Sequence, residues 1–215
     1  MARKKNGSST EVVKRDQWAV FNQTPDALAD IIKTNLGGSD LTPFDFDTIK
    51  IPAGGGTVWM VPTPDSEEEP VKELEGIIIH QSDPRAYWRS SLEDSGGGSP
   101  PDCSSDNSNT GFGKRNDEEE EGSHDCGTCS LSKFGSDGKR GQACKNIFML
   151  RKDTILPIVL QLPPTSLGAA KKYLIRLCAY SIPAEGVITS WKLEKAQNQD
   201  GIGYSKAVPS SNGRL

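Results

Sequence analysis

Long apolar runs are missing from this sequence. No stretch approaches the roughly 18 apolar residues that a membrane-spanning helix needs, which excludes such a helix. The basic start of the chain, Met1 to Ser9, is not followed by an apolar segment, so we expect no secretory signal. These absences predict a soluble, intracellular protein with no membrane partner.

Histidine is scarce, and the common catalytic motifs are absent. The 215 residues include two histidines, which leaves few candidates for acid–base chemistry. The sequence contains no phosphate-binding loop, no G-x-S-x-G nucleophile elbow and no H-E-x-x-H motif. It also lacks the H-x-E motif that accompanies P-C-x-x-C in zinc deaminases. We therefore predict a non-enzymatic protein, with a metal-dependent enzyme as the weaker hypothesis.

Negative charge is concentrated in one short run. The formal net charge is −4, and residues 117–121 (Asp-Glu-Glu-Glu-Glu) contribute five negative charges. Without this run the rest of the chain is nearly balanced, so the acidic total does not exclude a nucleic-acid partner. The run would either compete with nucleic acid for a basic groove or recruit a protein partner.

Four of the five cysteines lie in one polar segment in the middle of the chain. Cys103, Cys126, Cys129 and Cys144 are spaced C-x22-C-x2-C-x14-C, in a stretch that is rich in Gly, Ser and acidic residues. Such a stretch is too poor in apolar side chains to be held by burial alone. In a reducing compartment, a cysteine cluster is more typical of a metal site than of disulfides. Because four thiolates hold zinc tetrahedrally in closed sites, we predict a structural Zn²⁺ bound by these four residues.

Two alternatives to this ligand set stay open. His124, two residues before Cys126, would replace Cys103 as a ligand. Cys126 and Cys129 alone would form a redox disulfide, although no thioredoxin-type βαβ pattern surrounds them. The fifth cysteine, Cys178, falls on the apolar face of a predicted helix and is expected to be a buried small side chain.

Hydrophobic periodicity predicts a mainly β (α+β) fold with two packing helices. Thr24 as N-cap, Pro25 at the first helical position and Gly37 at the end predict a first helix that packs on the main sheet. A second amphipathic helix is predicted between Pro163 and Pro183.

Apolar and β-branched stretches predict the strands. They lie at residues 46–51, 57–61, 74–81, 87–89, 147–150, 155–162 and 187–193. The stretch at 74–81 is expected to be central with Gly76 at a bulge, and 147–162 to form a hairpin. A helix that precedes the last strand suits an OB-like β-barrel, here with an inserted zinc ribbon.

The composition divides the chain into five parts. They are a disordered basic tail (1–15), the first part of the barrel domain with the N-terminal helix (16–94), a zinc-binding insert with a disordered acidic loop (95–145), the second part of the barrel with its helix (146–203) and a disordered tail (204–215).

Cations and aromatic side chains are interleaved on both sides of the cysteine segment. Single-strand binders combine cations for phosphates with flat rings on which bases stack. The candidate contacts are Arg85, Tyr87, Trp88, Arg89, Lys133, Phe134, Lys139, Arg140 and Lys145. An ordinary solvated surface would show similar charges, so this pattern is less specific than the cysteine cluster.

Several segments together resemble a family found in bacterial phages and mobile elements. They are Pro101–Asp106, Cys126–Cys129, Lys133–Ser136, Gly141–Lys145, Leu162–Leu167 and Lys192–Ala196. The resemblance covers roughly residues 45–205 and implies a single-stranded-DNA-binding protein that acts in DNA replication or recombination in the cytoplasm of the bacterial host cell. It also implies zinc set into an OB-like barrel and replication or recombination proteins as further partners. The acidic run at 117–121 departs from the family pattern.

The alternative hypothesis is a protein-interaction module that binds a host replication or defence protein. It would use the zinc ribbon and the acidic loop as its binding surface, and it predicts no affinity for DNA.

Overall fold

Two α-helices and twelve strands are formed by the residues that this computed structural model describes, which are 15–39, 41–42, 45–65, 67–90, 100–115, 120–132 and 144–215. The helices are α1 (Pro25–Leu36) and α2 (Pro164–Ala179). The strands are β1 (Thr48–Lys50), β2 (Trp59–Pro62), β3 (Glu68–Val71), β4 (Glu73–Ser82), β5 (Arg85–Tyr87), β6 (Cys103–Ser105), β7 (Thr110–Gly113), β8 (Gly122–Asp125), β9 (Lys145–Leu150), β10 (Ile158–Leu162), β11 (Val187–Gln197) and β12 (Gly203–Arg214). The fold is therefore mainly β with two helices, as predicted.

The main sheet has six strands in the order β1-β10-β9-β4-β11-β12. Only the β1–β10 pair is parallel, and the other four pairs are antiparallel. The predicted hairpin is confirmed as β9 and β10, and β4 is confirmed as a central strand. The sheet curls into a half-barrel, since α2 contacts both β10 and β12, which are far apart in the strand order.

The main core fills the inside of this curled sheet. Ala170, Tyr173 and Leu177 form the buried stripe of α2, at the spacing of three and four residues that one helix face requires. Trp59 and Trp191 are fully buried here, and the Trp59 Nε1–H donates to the Trp191 carbonyl at 2.9 Å. Burial raises the pKa of Tyr173, although the hydroxyl contacts Thr189 Oγ1 at 2.9 Å.

A second, smaller cluster covers the opposite face of the sheet. Trp18 packs there with Ile77 and Ile188 and is 2% exposed. The Ala19 N–H donates to the Lys152 carbonyl at 2.9 Å, which holds the chain around Trp18 beside the β9–β10 turn. One face of the main sheet is thus covered by α2 and the other by the segment around Trp18, and α1 covers neither.

The first helix forms as predicted but does not pack as predicted. The Thr24 hydroxyl accepts from the Ala27 N–H at 3.2 Å, and Gly37 ends the helix with φ 62°. None of the residues of α1 is buried, and Ile31 and Leu36 are each 41% exposed. The expectation that α1 packs on the main sheet is wrong because α2 and Trp18 already occupy the two faces.

The predicted bulge lies three residues later than expected. The register between β4 and β9 shifts between Ile78 and His80, whereas Gly76 pairs regularly with Thr189 of β11. A Cβ at Gly76 would lie 2.8 Å from the Leu150 carbonyl oxygen. Glycine is therefore required there for a close approach of two backbones.

Two further expectations are corrected at the C-terminal end. Residues 204–215 form most of β12 instead of a disordered tail, with Ala207 fully buried and Ser205 nearly so. The buried and half-buried positions of β12 alternate over its first half, but the sequence does not show this as an apolar–polar alternation because the strand is rich in Ser, Pro and Gly. Cys178 is exposed because it lies about 100° around the helix from Leu177, outside the buried stripe.

The remaining strands form two further sheets, one of two strands and one of four. Strands β2 and β3 form an antiparallel pair. Strands β5, β6, β7 and β8 form an antiparallel sheet in that order, which we call the small sheet. It therefore includes β5, which the sequence boundaries assigned to the first part of the barrel domain. Among the described residues, no helix is both long enough and apolar enough to span a membrane.

Candidate metal site and aromatic face of the small sheet

The small sheet separates its side chains onto two faces. Ser105, Gly111 and Gly113 are buried, whereas Ser104 and Phe112, which pair across β6 and β7, are exposed. We call the first side the inner face and the second the outer face. Successive strand residues point to opposite sides, so Cys103, two residues before Ser105, belongs to the inner face.

Three of the predicted metal ligands meet at the inner face. A cavity of about 40 Å³ is lined by Cys103, Cys126 and Cys129. A Cβ placed on Gly111 would lie 3.3 Å from Cys103 Sγ and 3.4 Å from Cys126 Sγ. The two sulfurs therefore lie against the same glycine, and a larger residue at that position would fill the space between them.

Hydrogen bonds hold the turn between Cys126 and Cys129. The Asp125 carboxylate accepts from the Gly127 N–H at 2.8 Å and from the Thr128 hydroxyl at 3.1 Å. The Ser132 hydroxyl contacts the carbonyl oxygens of Cys126 and Cys129 at 2.6 and 2.9 Å. This short Cys-Gly-Thr-Cys turn keeps both thiols on the cavity side, as a C-x-x-C knuckle requires.

Two arginines also line this cavity. Arg85 donates through Nε to the Ser108 hydroxyl at 2.8 Å and through Nη1 to the Ser132 carbonyl at 3.0 Å. Arg115 lies on the cavity wall. The positive charges of these two arginines would offset the net negative charge of a divalent ion bound by three or four thiolates.

Cys144 and His124 are engaged elsewhere. The Cys144 thiol donates to the Pro84 carbonyl at 3.3 Å. Burial raises the pKa of this thiol, and the nearby Asp83 carboxylate raises it further, whereas Arg85 has a smaller, opposing effect. His124 Nε2 lies 2.9 Å from the Gly113 carbonyl oxygen. Of the two alternative partners for the knuckle, Cys103 is thus the one whose side chain lies beside Cys126.

The side chains do not form a closed metal cage in their present rotamers. Within the described ranges, no group of three or more His, Cys, Asp or Glu side chains is arranged to hold an ion. The donor chemistry nevertheless fits zinc, since three cysteines line one small cavity and thiolates are the ligands of closed structural zinc sites. The type of donor atom and the location of these residues around one cavity therefore agree with a zinc site, whereas the present rotamers of the described side chains do not form one.

Two of the described candidate cations, Arg85 and Lys145, are engaged within the protein. Arg85 is turned toward the cavity, and Lys145 forms an ion pair with Asp83 at 2.7 Å. The backbone N–H of Arg89 donates to the Asp102 carboxylate at 2.8 Å. Four candidate contacts lie outside the described residues, namely Lys133, Phe134, Lys139 and Arg140. Residues 117–119 of the acidic run also lie outside them, whereas Glu120 and Glu121 are exposed just before β8.

The outer face carries exposed aromatic side chains. Phe112 is 60% exposed and Trp88 is 41% exposed. Trp88 directly follows β5, and if the alternation of the strand continues from Ala86, which pairs with the outer-face residue Ser104, Trp88 belongs to the outer face as well. Tyr87, by contrast, pairs with Cys103 and lines the cavity.

Sequence patterns missed four contributors to this region. Gly111, Arg115 and Ser132 line the cavity, and Phe112 stands on the outer face. Phe112 is the only large apolar side chain between Ser95 and Asp125, and that isolation was the one available signal. The other three become recognisable only when β6 and β7 are paired.

No protein-family model, no curated protein and no solved structure matches this sequence. The fold and the site define the class of protein: a mainly β protein with a curled six-stranded sheet and a cysteine-lined small sheet between two of its strands.

Proposed function

We propose that this protein binds single-stranded DNA without catalysing a reaction, through an OB-like half-barrel and the small sheet inserted into it. A role in phage or mobile-element replication or recombination, in the bacterial cytoplasm, rests on the family resemblance alone. The partners would be single-stranded DNA and, in addition, replication or recombination proteins. A structural zinc ion on the cysteine cluster would hold the small sheet in shape.

The strand pairing of the main sheet carries this proposal. We number β4, β9, β10, β11 and β12 as strands one to five of a barrel. Strand one then pairs with strands two and four, strand two also pairs with strand three, and strand four also pairs with strand five. These are the antiparallel pairs of an OB-type barrel, and α2 lies between the third and fourth strands in the chain, as in an OB-fold. Here β1 takes the place beside β10 at which the fifth strand would close the barrel.

The position of the small sheet supports the same function. It is inserted between β4 and β9, which are strands one and two in this comparison. OB-folds bind oligonucleotides with the face of strands two and three and with the loops that join strands one to two and four to five. In the OB-like architecture proposed here, the small sheet would be an elaborated form of one of these binding loops.

The outer face of the small sheet supplies stacking surfaces. Trp88 follows β5 and Phe112 lies in β7, two strands away, so their backbones are at least roughly 10 Å apart at about 4.8 Å per strand. Rings at that separation suit two different bases of one strand. Because Arg85 and Lys145 are engaged within the protein, the proposal assigns the phosphate contacts chiefly to Lys133, Lys139 and Arg140.

Removing an outer-face ring is expected to weaken DNA binding. Trp88→Ala and Phe112→Ala should each raise the Kd for oligo(dT) about 5- to 150-fold, because stacking contributes roughly 1–3 kcal/mol per base. The measurement is a titration of labelled oligo(dT), followed by anisotropy at low and at high salt. Tyr180→Ala is the matched control, since Tyr180 is 72% exposed on the end of α2 and is not part of the small sheet.

The outcomes separate this function from its alternative. Binding that weakens steeply with salt and depends on Trp88 and Phe112 supports the proposal. The absence of binding at low salt would overturn it and leave the protein-interaction module. That alternative would bind through the cysteine-containing insert and the acidic run, and it predicts a stable complex with a host protein in a pull-down from host lysate.

Loss of the metal is expected to loosen only the small sheet. Of the residues that the structure describes between positions 79 and 146, none belongs to either apolar core, and we therefore expect the main sheet to pack without the insert. Cys126→Ser should release one equivalent of zinc and increase amide exchange in β5 to β8, and the main-sheet signals should persist. Cys178→Ser, which changes an exposed cysteine on α2, is the control. Global unfolding of the Cys126 variant would contradict this picture.

A further inference from the structure

Three cysteines and not four share the cavity of the small sheet. The sulfurs of Cys103 and Cys126 both lie beside Gly111, where a Cβ would be 3.3 and 3.4 Å from them, and Cys129 lines the same cavity. The cavity is lined by no part of Cys144. The predicted four-residue ligand set is thereby divided into a group of three and a separate fourth member.

Cys144 is anchored away from this group by the main sheet. It directly precedes β9, where Asn146 pairs with Ser82 of β4. Its thiol donates to the Pro84 carbonyl, and the adjacent Lys145 forms an ion pair with Asp83 at 2.7 Å. To join the cavity residues, the Cys144 thiol would have to give up its hydrogen bond to the Pro84 carbonyl.

Histidine does not complete the set either. His124 pairs across from Gly111, but its ring is directed along the sheet to the Gly113 carbonyl, 2.9 Å from Nε2. The ring also lies beside Gly122, where a Cβ would be in ordinary contact, 3.6 Å from His124 Cε1. Its imidazole is therefore committed to the backbone of β7.

We propose that the cavity binds a thiophilic divalent ion through Cys103, Cys126 and Cys129 only, with the fourth position open to a small exogenous ligand such as water or a thiol. This inference rests on the structural metal included in the proposed function. Three thiolates on a divalent ion leave a single negative charge, and Arg85 and Arg115 lie beside it on the cavity wall. A site with three protein ligands and one open position exchanges ligands, whereas closed four-ligand sites do not.

Cobalt(II) is the probe that distinguishes three protein thiolates from four. The full-length chain is titrated with Co²⁺ alone under reducing conditions, and the thiolate charge-transfer and d–d absorption bands are recorded for the wild type, Cys103→Ser and Cys144→Ser. We expect one equivalent to bind to the wild type and to Cys144→Ser with the same spectrum and with affinities within about 3-fold. Cys103→Ser should lose at least about 100-fold in affinity, more than the loss of an outer-shell partner causes.

A second readout tests the open position. Addition of 2-mercaptoethanol to the Co²⁺ form should shift the d–d bands, because an exogenous thiol enters the fourth position. Cys144→Ala, checked for a folded main sheet by circular dichroism, guards against a variant that fails to fold.

Each outcome has a definite meaning. Equal losses from Cys103→Ser and Cys144→Ser, with a spectrum insensitive to the thiol, would overturn the three-thiolate site in favour of four. No Co²⁺ binding by the wild type would overturn the metal site altogether. Neither result alters the oligo(dT) titration, so failure of this inference is distinguishable from failure of DNA binding.

Discussion

Replacement of Trp59 by alanine is expected to lower the free energy of unfolding by about 3–5 kcal/mol, the usual cost of truncating a buried aromatic side chain. Trp59 is fully buried in the main core, and its Nε1–H donates to the Trp191 carbonyl. The substitution removes the packing of the ring and leaves this carbonyl without its donor. Because domains are stable by only about 5–15 kcal/mol, this is the largest single effect that we expect on the whole fold.

Urea denaturation followed by circular dichroism measures the effect of the Trp59 change. Met60→Ala is the matched control, since Met60 is the next residue in β2 and is 43% exposed. It should change the free energy of unfolding by less than about 1 kcal/mol, as surface substitutions usually do. Similar losses for the two variants would show that β2 is not part of the main core in solution.

Replacement of Gly113 by alanine is expected to disrupt the small sheet while sparing the main one. Gly113 has φ 137°, which L residues rarely adopt, and a Cβ there would overlap the Asp102 carbonyl oxygen and lie 2.6 Å from Cys103 Cα. These contacts are with backbone atoms of β6 and its start, so no side chain can turn aside to relieve them. We expect a local cost of roughly 3 kcal/mol or more and, with Cys103 displaced, a loss of metal affinity.

Hydrogen exchange resolved by residue is the measurement for the Gly113 variant, together with zinc stoichiometry. Amides of β6 to β8 should lose protection, and amides of β9 to β12 should keep it. Gly122→Ala is the control, since Gly122 is the partner of Gly113 in β8 and a Cβ there would make only an ordinary contact with His124. Wild-type protection in Gly113→Ala would refute the geometry of the β6–β7 pair.

Local sequence patterns predicted the elements that local forces define. The Thr24 cap and the Gly37 stop place α1 to within a residue, because both act through hydrogen bonds and φ preferences of adjacent residues. The β9–β10 hairpin and central β4 follow from continuous apolar runs that only a buried strand tolerates. The buried stripe of α2 follows equally from helical spacing, apart from Cys178 at its margin.

Strands that contain few large apolar residues could not be predicted from hydrophobic periodicity. β12 is rich in Ser, Pro and Gly, and its buried positions are small residues such as Ser205 and Ala207. The small sheet is built from three- and four-residue strands in a Gly/Ser-rich segment. Such short strands are stable only when paired with other strands of the chain. The sequence of one strand alone does not determine its partner or the register of the pair.

The sequence by itself determined the donor chemistry and the local elements of this protein. It defined four thiols in a polar segment, the caps of the first helix, and the runs that must be buried. Only the tertiary structure decided which side chains meet, because strand pairing and register bring together residues far apart in the chain. It placed the sulfurs of Cys103 and Cys126 together beside Gly111, held Cys144 against Pro84, and left Phe112 exposed. Alternation along a strand divides side chains into two faces, but the packing of the whole chain decides which face is enclosed.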